Sequence, residues 1–266
     1  MSQIITVHSY RGGTGKSSTA ANLAVLLASA GRRVALVDTD IQTPALDVLF
    51  GDTLGTVRRS LSDYLVGRCE IEDAAYPAEA DAGHDGFFVV PARSRARAAG
   101  INEIMGRGYD VGLLREGFDR LIDSLALDVL LLDTHAGFNN ETVTAMASSD
   151  ALVVVTRADR LDMAGAAETM SLADRLGCGR LSVAVNMVPA GMAEERLRDE
   201  VGGAFGTRIT AALPYAPEMA SLAGEQLFST AYPQHPLVAG YRRIIADVSN
   251  GTTALRRGAQ HPPALS

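Results

Sequence analysis

The sequence predicts an α/β fold, a mostly parallel twisted sheet with helices on both faces. Three observations carry this: short, fully apolar runs recur along the 266 residues, helical patterns separate most of them, and acidic or polar residues stand just after several. Strands apolar on both sides belong to a sheet covered on both faces. Ligands of such sheets bind beyond the carboxyl ends of the strands, so the polar groups there are the first candidates for function.

Taken in order, Ile4 to Val7 is a short run rich in β-branched residues, followed by the glycine-rich stretch Arg11-Gly12-Gly13-Thr14-Gly15-Lys16-Ser17-Ser18. From Lys16 to Ala30 the chain favours helix, because Ala20, Leu23, Ala24 and Leu27 recur at i, i+3, i+4 and i+7, and Gly31 is placed to stop it. Arg33 to Val37 is a buried strand ending at Asp38-Thr39-Asp40, Phe87 to Val90 is the next, and Asp128 to Leu132 runs into Asp133. Ala151 to Val155, Leu181 to Val185 and Ile209 to Leu213 complete the series. The length would allow two domains at ~100–200 residues each, but no Ser/Pro/Gly-rich linker divides the middle. One domain over residues 1–248 is therefore expected. Ser249 to Ser266 has no apolar periodicity and is expected to be a disordered tail.

Composition narrows the function. The longest helix-like apolar stretch, Leu23 to Ala30, is far short of the ~18 residues of a membrane span, and no cationic segment precedes an apolar one at the N-terminus, so a cytoplasmic chain is expected. Cys69 and Cys178 are too few for a disulfide framework and too far apart for a metal motif. The net charge of −7 supplies no global field that would draw the chain to nucleic acid or anionic lipid. Of 24 basic residues only Lys16 is lysine. A chain that otherwise uses arginine has kept one compact ammonium, which marks a site where a planar guanidinium would not serve.

Strand, glycine loop and helix are the context a phosphate loop requires, although Tyr10 stands where the general pattern has its first glycine. The backbone N–H groups of Gly13, Thr14, Gly15 and Lys16 can curl around phosphates, because glycine permits the dihedrals and close approach this needs. Lys16 would set a cation near the β- and γ-phosphates, and the Ser17 hydroxyl suits Mg²⁺, which prefers hard oxygen ligands.

The segment from Arg11 to Ser17 resembles the deviant Walker A motif of the MinD/ParA family of ATPases at every position except the first, where Arg11 replaces lysine. Asp38-Thr39-Asp40 resembles that family's first switch, Asp133-Thr134-His135-Ala136-Gly137 its Walker B and second switch, and Asn186 with Pro189 its adenine-contact segment. The resemblance implies a single P-loop NTPase domain that binds ATP and Mg²⁺ and hydrolyses ATP slowly, with partner stimulation. Gly12, Gly13, Thr14, Gly15, Lys16, Ser17, Ser18, Gly137, Asn186 and Pro214 would bind nucleotide. Ser17 and Asp133 would serve Mg²⁺ with Asp38 as an outer contact, Asp40 would orient the attacking water, and the Gly137 N–H would sense the γ-phosphate. His135 stands where the family commonly has proline. It reads as a switch-packing residue rather than an acid or base, since phosphoryl transfer depends mainly on positioning and electrostatics.

In the family the first motif lysine reaches across a dimer interface to the partner's nucleotide, and Arg11 is expected to keep that contact through its charge. The resemblance thus implies an ATP-gated homodimer that recruits an unidentified partner or cargo, in partitioning or positioning of DNA or another cargo. Stable membrane binding is not expected, because Ser249 to Ser266 contains adjacent prolines and few apolar residues. DNA binding, if any, would be weak and would rest on Arg93-Arg95-Arg97, Arg242-Arg243 and Arg256-Arg257. Iron–sulfur relatives of this fold are disfavoured by the lack of cysteine ligands, and the amide-forming synthetases by the Arg11-Gly-Gly motif and paired switch aspartates. A nucleotide-binding module with little turnover stays open because of Arg11.

Overall fold

A computed structural model describes residues 2–54, 56–79, 85–93, 109–192, 197, 199, 208–222, 224 and 226–249. Eight strands form one sheet in the order β3-β4-β2-β5-β1-β6-β7-β8. They are β1 (Gln3–His8), β2 (Val34–Asp38), β3 (Tyr76–Pro77), β4 (Phe87–Val90), β5 (Val129–Asp133), β6 (Ala151–Arg157), β7 (Arg180–Val188) and β8 (Ile209–Pro214). Every pairing is parallel except that of β3 with β4. The seven apolar runs read from the sequence are all strands, each within two or three residues of its expected bounds. The two-residue edge strand β3 is the addition, too short to show a period of two.

Alternation along the strands divides the core. Ile5, Val7, Leu36, Leu131 and Val153 face helix α1 (Lys16–Ser29) and the last helix, α9 (Pro236–Ser249). Their neighbours Ala35, Val37, Leu130 and Leu132 face α3 (Leu61–Leu65), α4 (Gly112–Ser124) and α5 (Asn140–Ala147), while Leu152 and Val154 meet α6 (Arg160–Leu176). Among the described residues the other α-helices are the short α2 (Leu46–Leu49), α7 (Glu218–Ser221) and α8 (Phe228–Ala231). Helix α1 is apolar nearly all round because it lies between the sheet and α9; Leu23, 1% exposed, packs there, and Leu23→Ala would cost about 2–5 kcal/mol. The helix stops at Gly31, whose φ of +81° suits glycine, as the sequence implied.

Register positions the site. β2 and β5 are neighbours with Asp38 opposite Asp133, and β5 lies beside β1, so the segments leaving β1, β2 and β5 emerge side by side. The expected tail, apart from Ser249 at the end of α9, falls outside the described residues, as do Arg95, Arg97, Arg256 and Arg257. Among the described residues no helix is long and apolar enough to cross a membrane.

Candidate nucleotide site

The loop between β1 and α1 follows from its glycines. Gly13 and Gly15 have φ of +78° and +87°, and Gly15 is the N-cap of α1 with no side chain capping the helix. The N–H groups of the first turn therefore keep their capacity for an anion. A β-carbon on Gly12 or Gly13 would meet nothing within 4 Å, so there is room beside the loop. On its other flank the loop is closely backed. Asn186 donates from Nδ2 to the Thr14 carbonyl (2.8 Å), and a β-carbon on Gly15 would overlap that amide. A side chain near the carboxyl end of β7 thus braces the loop.

Lys16 Nζ donates to Asp133 Oδ1 (2.6 Å) and to Ser17 Oγ (3.1 Å), with the Lys16–Asp133 pair buried between α1 and the end of β5. The other carboxylate oxygen, Asp133 Oδ2, and the Thr14 hydroxyl are buried without a hydrogen-bond partner. Buried polar atoms are rarely left so, and each marks a place a bound group would satisfy. Among the described residues no three His, Cys, Asp or Glu side chains converge as a metal site. Mg²⁺ prefers hard oxygen ligands and usually keeps several waters beside one or two carboxylates. Ser17 Oγ and the unpartnered Asp133 Oδ2 are hard oxygens of the kind this ion takes, and Asp38 stands on the strand beside Asp133.

Asp38 is fully buried and accepts three backbone N–H bonds, from Asp40 (2.9 Å), Ala45 (2.9 Å) and Leu46 (3.1 Å), which curl the segment between β2 and α2 around its carboxyl. Burial, then the adjacent Asp133 carboxylate, pushes its pKa up to about 7 against the pull of the Ala45 and Leu46 N–H groups and of Lys16. Asp40 stands two residues on. It accepts Thr43 N–H (2.8 Å) and Thr43 Oγ1–H (2.9 Å), and His135 Nδ1 lies 3.0 Å from Asp40 Oδ1.

Two sequence-derived residues are engaged elsewhere. Gly137 N–H, expected to face a γ-phosphate, donates to the Ser9 carbonyl of the loop (3.1 Å). Arg11, expected to reach across an interface, lies within its own chain 3.2 Å from Asp162 Oδ1. Asp162 is 1% exposed and also holds Arg157 Nε at 2.5 Å, whereas Arg11 is 42% exposed. Pro214 closes β8 opposite Val188, with β6 and β7 lying between it and the loop's own strand. Arg93 Nη2 donates to the Gln42 carbonyl (3.4 Å) and Arg242 Nη1 to the Pro233 carbonyl (3.1 Å), so each basic side chain is tethered to backbone.

Sequence reasoning missed three features. Asp162 as the partner of Arg11 was hidden because the two are far apart in the chain; nearby Asp159 caps α6 by accepting from the Leu161 and Asp162 N–H groups. Tyr10 packs edge-on against Phe138 with centroids 5.6 Å apart, and its ring lies where a β-carbon on Gly165 would be. The His135–Asp40 bond is the third.

Fold and site together define a nucleotide-binding α/β protein with its phosphate loop at the carboxyl edge of a parallel sheet. Residues 2–177 match the family described as AAA domain, and the chain belongs to that family, as a P-loop protein similar to MinD and ParA. An uncharacterised ATP-binding protein of Methanocaldococcus jannaschii is 31% identical over 194 residues, covering 71% of this chain and 65% of that protein. The antiactivator FleN of Pseudomonas aeruginosa is 33% identical over 186 residues, covering 70% of this chain and 61% of FleN. The matched part therefore spans less than two thirds of either relative's length. The septum site-determining protein MinD of Pyrococcus horikoshii, solved in complex with Mg-ADP, has the same fold: TM-score 0.78 at 23% identity, covering 96% of this chain and 99% of that one.

Proposed function

We propose that the chain is a Mg²⁺-dependent ATP-binding and ATP-hydrolysing dimerisation switch, used to partition or position DNA or another cargo through an unidentified partner. The observation that carries the reading is the Lys16–Asp133 pair at the junction of glycine loop, helix α1 and strand β5, with Ser17, Asp38 and Asp40 beside it. Gly12, Gly13, Thr14, Gly15 and Ser18 would cradle the phosphates while Lys16 turns its ammonium from Asp133 to them. Ser17 and Asp133, with Asp38 outside them, would hold Mg²⁺, which when bound neutralises charge on the phosphate oxygens. Asn186 and Pro214 would meet the base, Asp40 would orient the attacking water, and Gly137 would exchange its Ser9 bond for the γ-phosphate. The MinD fold with Mg-ADP and the ATP-binding relative support the cofactor assignment.

Phosphate release by the purified chain tests this reading. Asp40→Ala should lower kcat far more than it weakens ATP binding, because its role is to place water. Equal turnover in wild type and variant removes Asp40 from catalysis. One observation favours a second reading, a nucleotide-binding module with little turnover: Arg11 is bound within its own chain by Asp162. No phosphate release above background, with or without DNA, would select it.

A further inference from the structure

We infer that His135 is a positioning residue for hydrolysis: its Nδ1–H holds the Asp40 carboxylate and couples the segment after β2 to the segment after β5. The inference rests on the proposed role of Asp40 and adds a residue to that site.

The register makes the pairing specific. Asp38 lies opposite Asp133, and Thr39 extends the match by donating both its N–H (2.8 Å) and its hydroxyl (3.0 Å) to the Asp133 carbonyl. One residue further, Asp40 and His135 face each other and join at 3.0 Å. The two other bonds of the Asp40 carboxylate both come from Thr43, three residues along the same segment. Those bonds travel with the segment if it moves, and they fix Asp40 only relative to itself. His135 supplies an external anchor.

The anchor is itself held. Thr134 Oγ1 donates to the Val7 carbonyl (3.1 Å), lies 2.8 Å from His8 Nδ1, and its N–H also reaches Val7 (3.4 Å). The His135 carbonyl accepts from Thr142 Oγ1 of α5 (3.4 Å), and Gly137 N–H is on Ser9. The imidazole is thus mounted on β1 and α5 while its ring reaches toward the β2 segment. Asp40 is 6% exposed, so a bond from a fixed donor to its carboxylate is partly shielded from water, where charge-assisted hydrogen bonds count most. A shift of a water-orienting group by about 1 Å can cost up to 10²-fold in rate, so loss of one anchor should be visible in kcat. The role is one of placement, and no proton transfer by His135 is required.

The full chain and its His135→Ala, His135→Asn, His135→Gln and Asp40→Ala variants decide the matter through two readouts. Asparagine can put an amide N–H where Nδ1 stands, whereas glutamine carries it about one bond further out, toward the Nε2 position. Without nucleotide, hydrogen exchange of the peptide containing the Thr43 amide should quicken at least about threefold in His135→Ala and return toward wild type in His135→Asn. With ATP, His135→Ala should lower kcat roughly tenfold with KM within about twofold, and His135→Asn should recover most of the loss while His135→Gln does not. Unchanged exchange and kcat in His135→Ala, with turnover lost in Asp40→Ala, would overturn the inference and leave the reading of Asp40 standing. Wild-type turnover in Asp40→Ala would overturn that reading itself, while the exchange result would still report on the bond. Should His135→Ala not fold, equal rates in the Asn and Gln variants would overturn the inference, and a slower Gln variant would support it.

Discussion

Lys16→Met in the nucleotide-free chain should unfold far more easily than wild type. Lys16 and Asp133 are both buried, meet at 2.6 Å, and have Asp38 close enough for its pKa to respond to both. Removing the ammonium strands the Asp133 carboxylate in a desolvated site, and breaking a buried pair by deleting one partner costs about 3–5 kcal/mol. Methionine keeps most of the aliphatic contact, so the lower end, roughly 3 kcal/mol, is the expected cost. At roughly 2–4 °C per kcal/mol for a domain of this size, the melting temperature should fall by about 6–12 °C. Thermal unfolding followed by far-ultraviolet circular dichroism measures it. Asp133→Asn and the double variant complete a cycle whose coupling should reach at least about 2 kcal/mol, because the Asn change removes the carboxylate left unpaired. A fall of less than about 2 °C, or single effects that simply add, would show that the pair does not hold this region together.

Burial, reinforced by the charge on Lys16, lowers the His8 pKa from 6.5 to about 3. Below pH 6.5 the unfolded chain takes a proton that the folded chain refuses, so stability should be lost as pH falls toward 3, by roughly 1.5 kcal/mol between pH 6.5 and 5.0. His8→Asn should flatten that slope in urea titrations, and parallel slopes would place the proton elsewhere. Arg11→Ala should leave the fold intact, since Asp162 keeps Arg157 at 2.5 Å, but should reduce ATP-dependent dimerisation in an Asp40→Ala background. Light scattering decides, and a dimer as strong as its parent's would end the trans-contact role. DNA association should be at most weak and fall steeply with salt, and anionic vesicles should not sediment the chain; tight binding to either would contradict the charge argument.

The sheet was legible because its central strands are buried on both faces, which makes β2 and β5 unbroken apolar runs over residues 34–37 and 129–132. The ends of those runs also announced the site, since Asp38 and Asp133 follow them directly. What could not be read was how side chains meet across the chain. His135 looked like a loop residue because nothing in its neighbourhood names Asp40; only the Asp38–Asp133 register brings them together. Arg11 carries its charge plainly, yet its capture by Asp162 depends on where β6 delivers α6 beside the loop. Tyr76–Pro77 gave no periodic signal, and its place at the edge is set by pairing with β4 and by the Tyr76 hydroxyl, which accepts the Arg58 and Arg59 N–H groups.

The central claim, that the glycine loop with Lys16 is an ATP site, is tested most directly by calorimetric titration of Mg-ATP into wild type and Lys16→Ala, both shown to be folded. One saturable site per chain in wild type, weakened at least about tenfold in the variant, is the result expected from removing the ammonium that faces the phosphates. No heat of binding in wild type, or equal affinity in the two proteins, would contradict it.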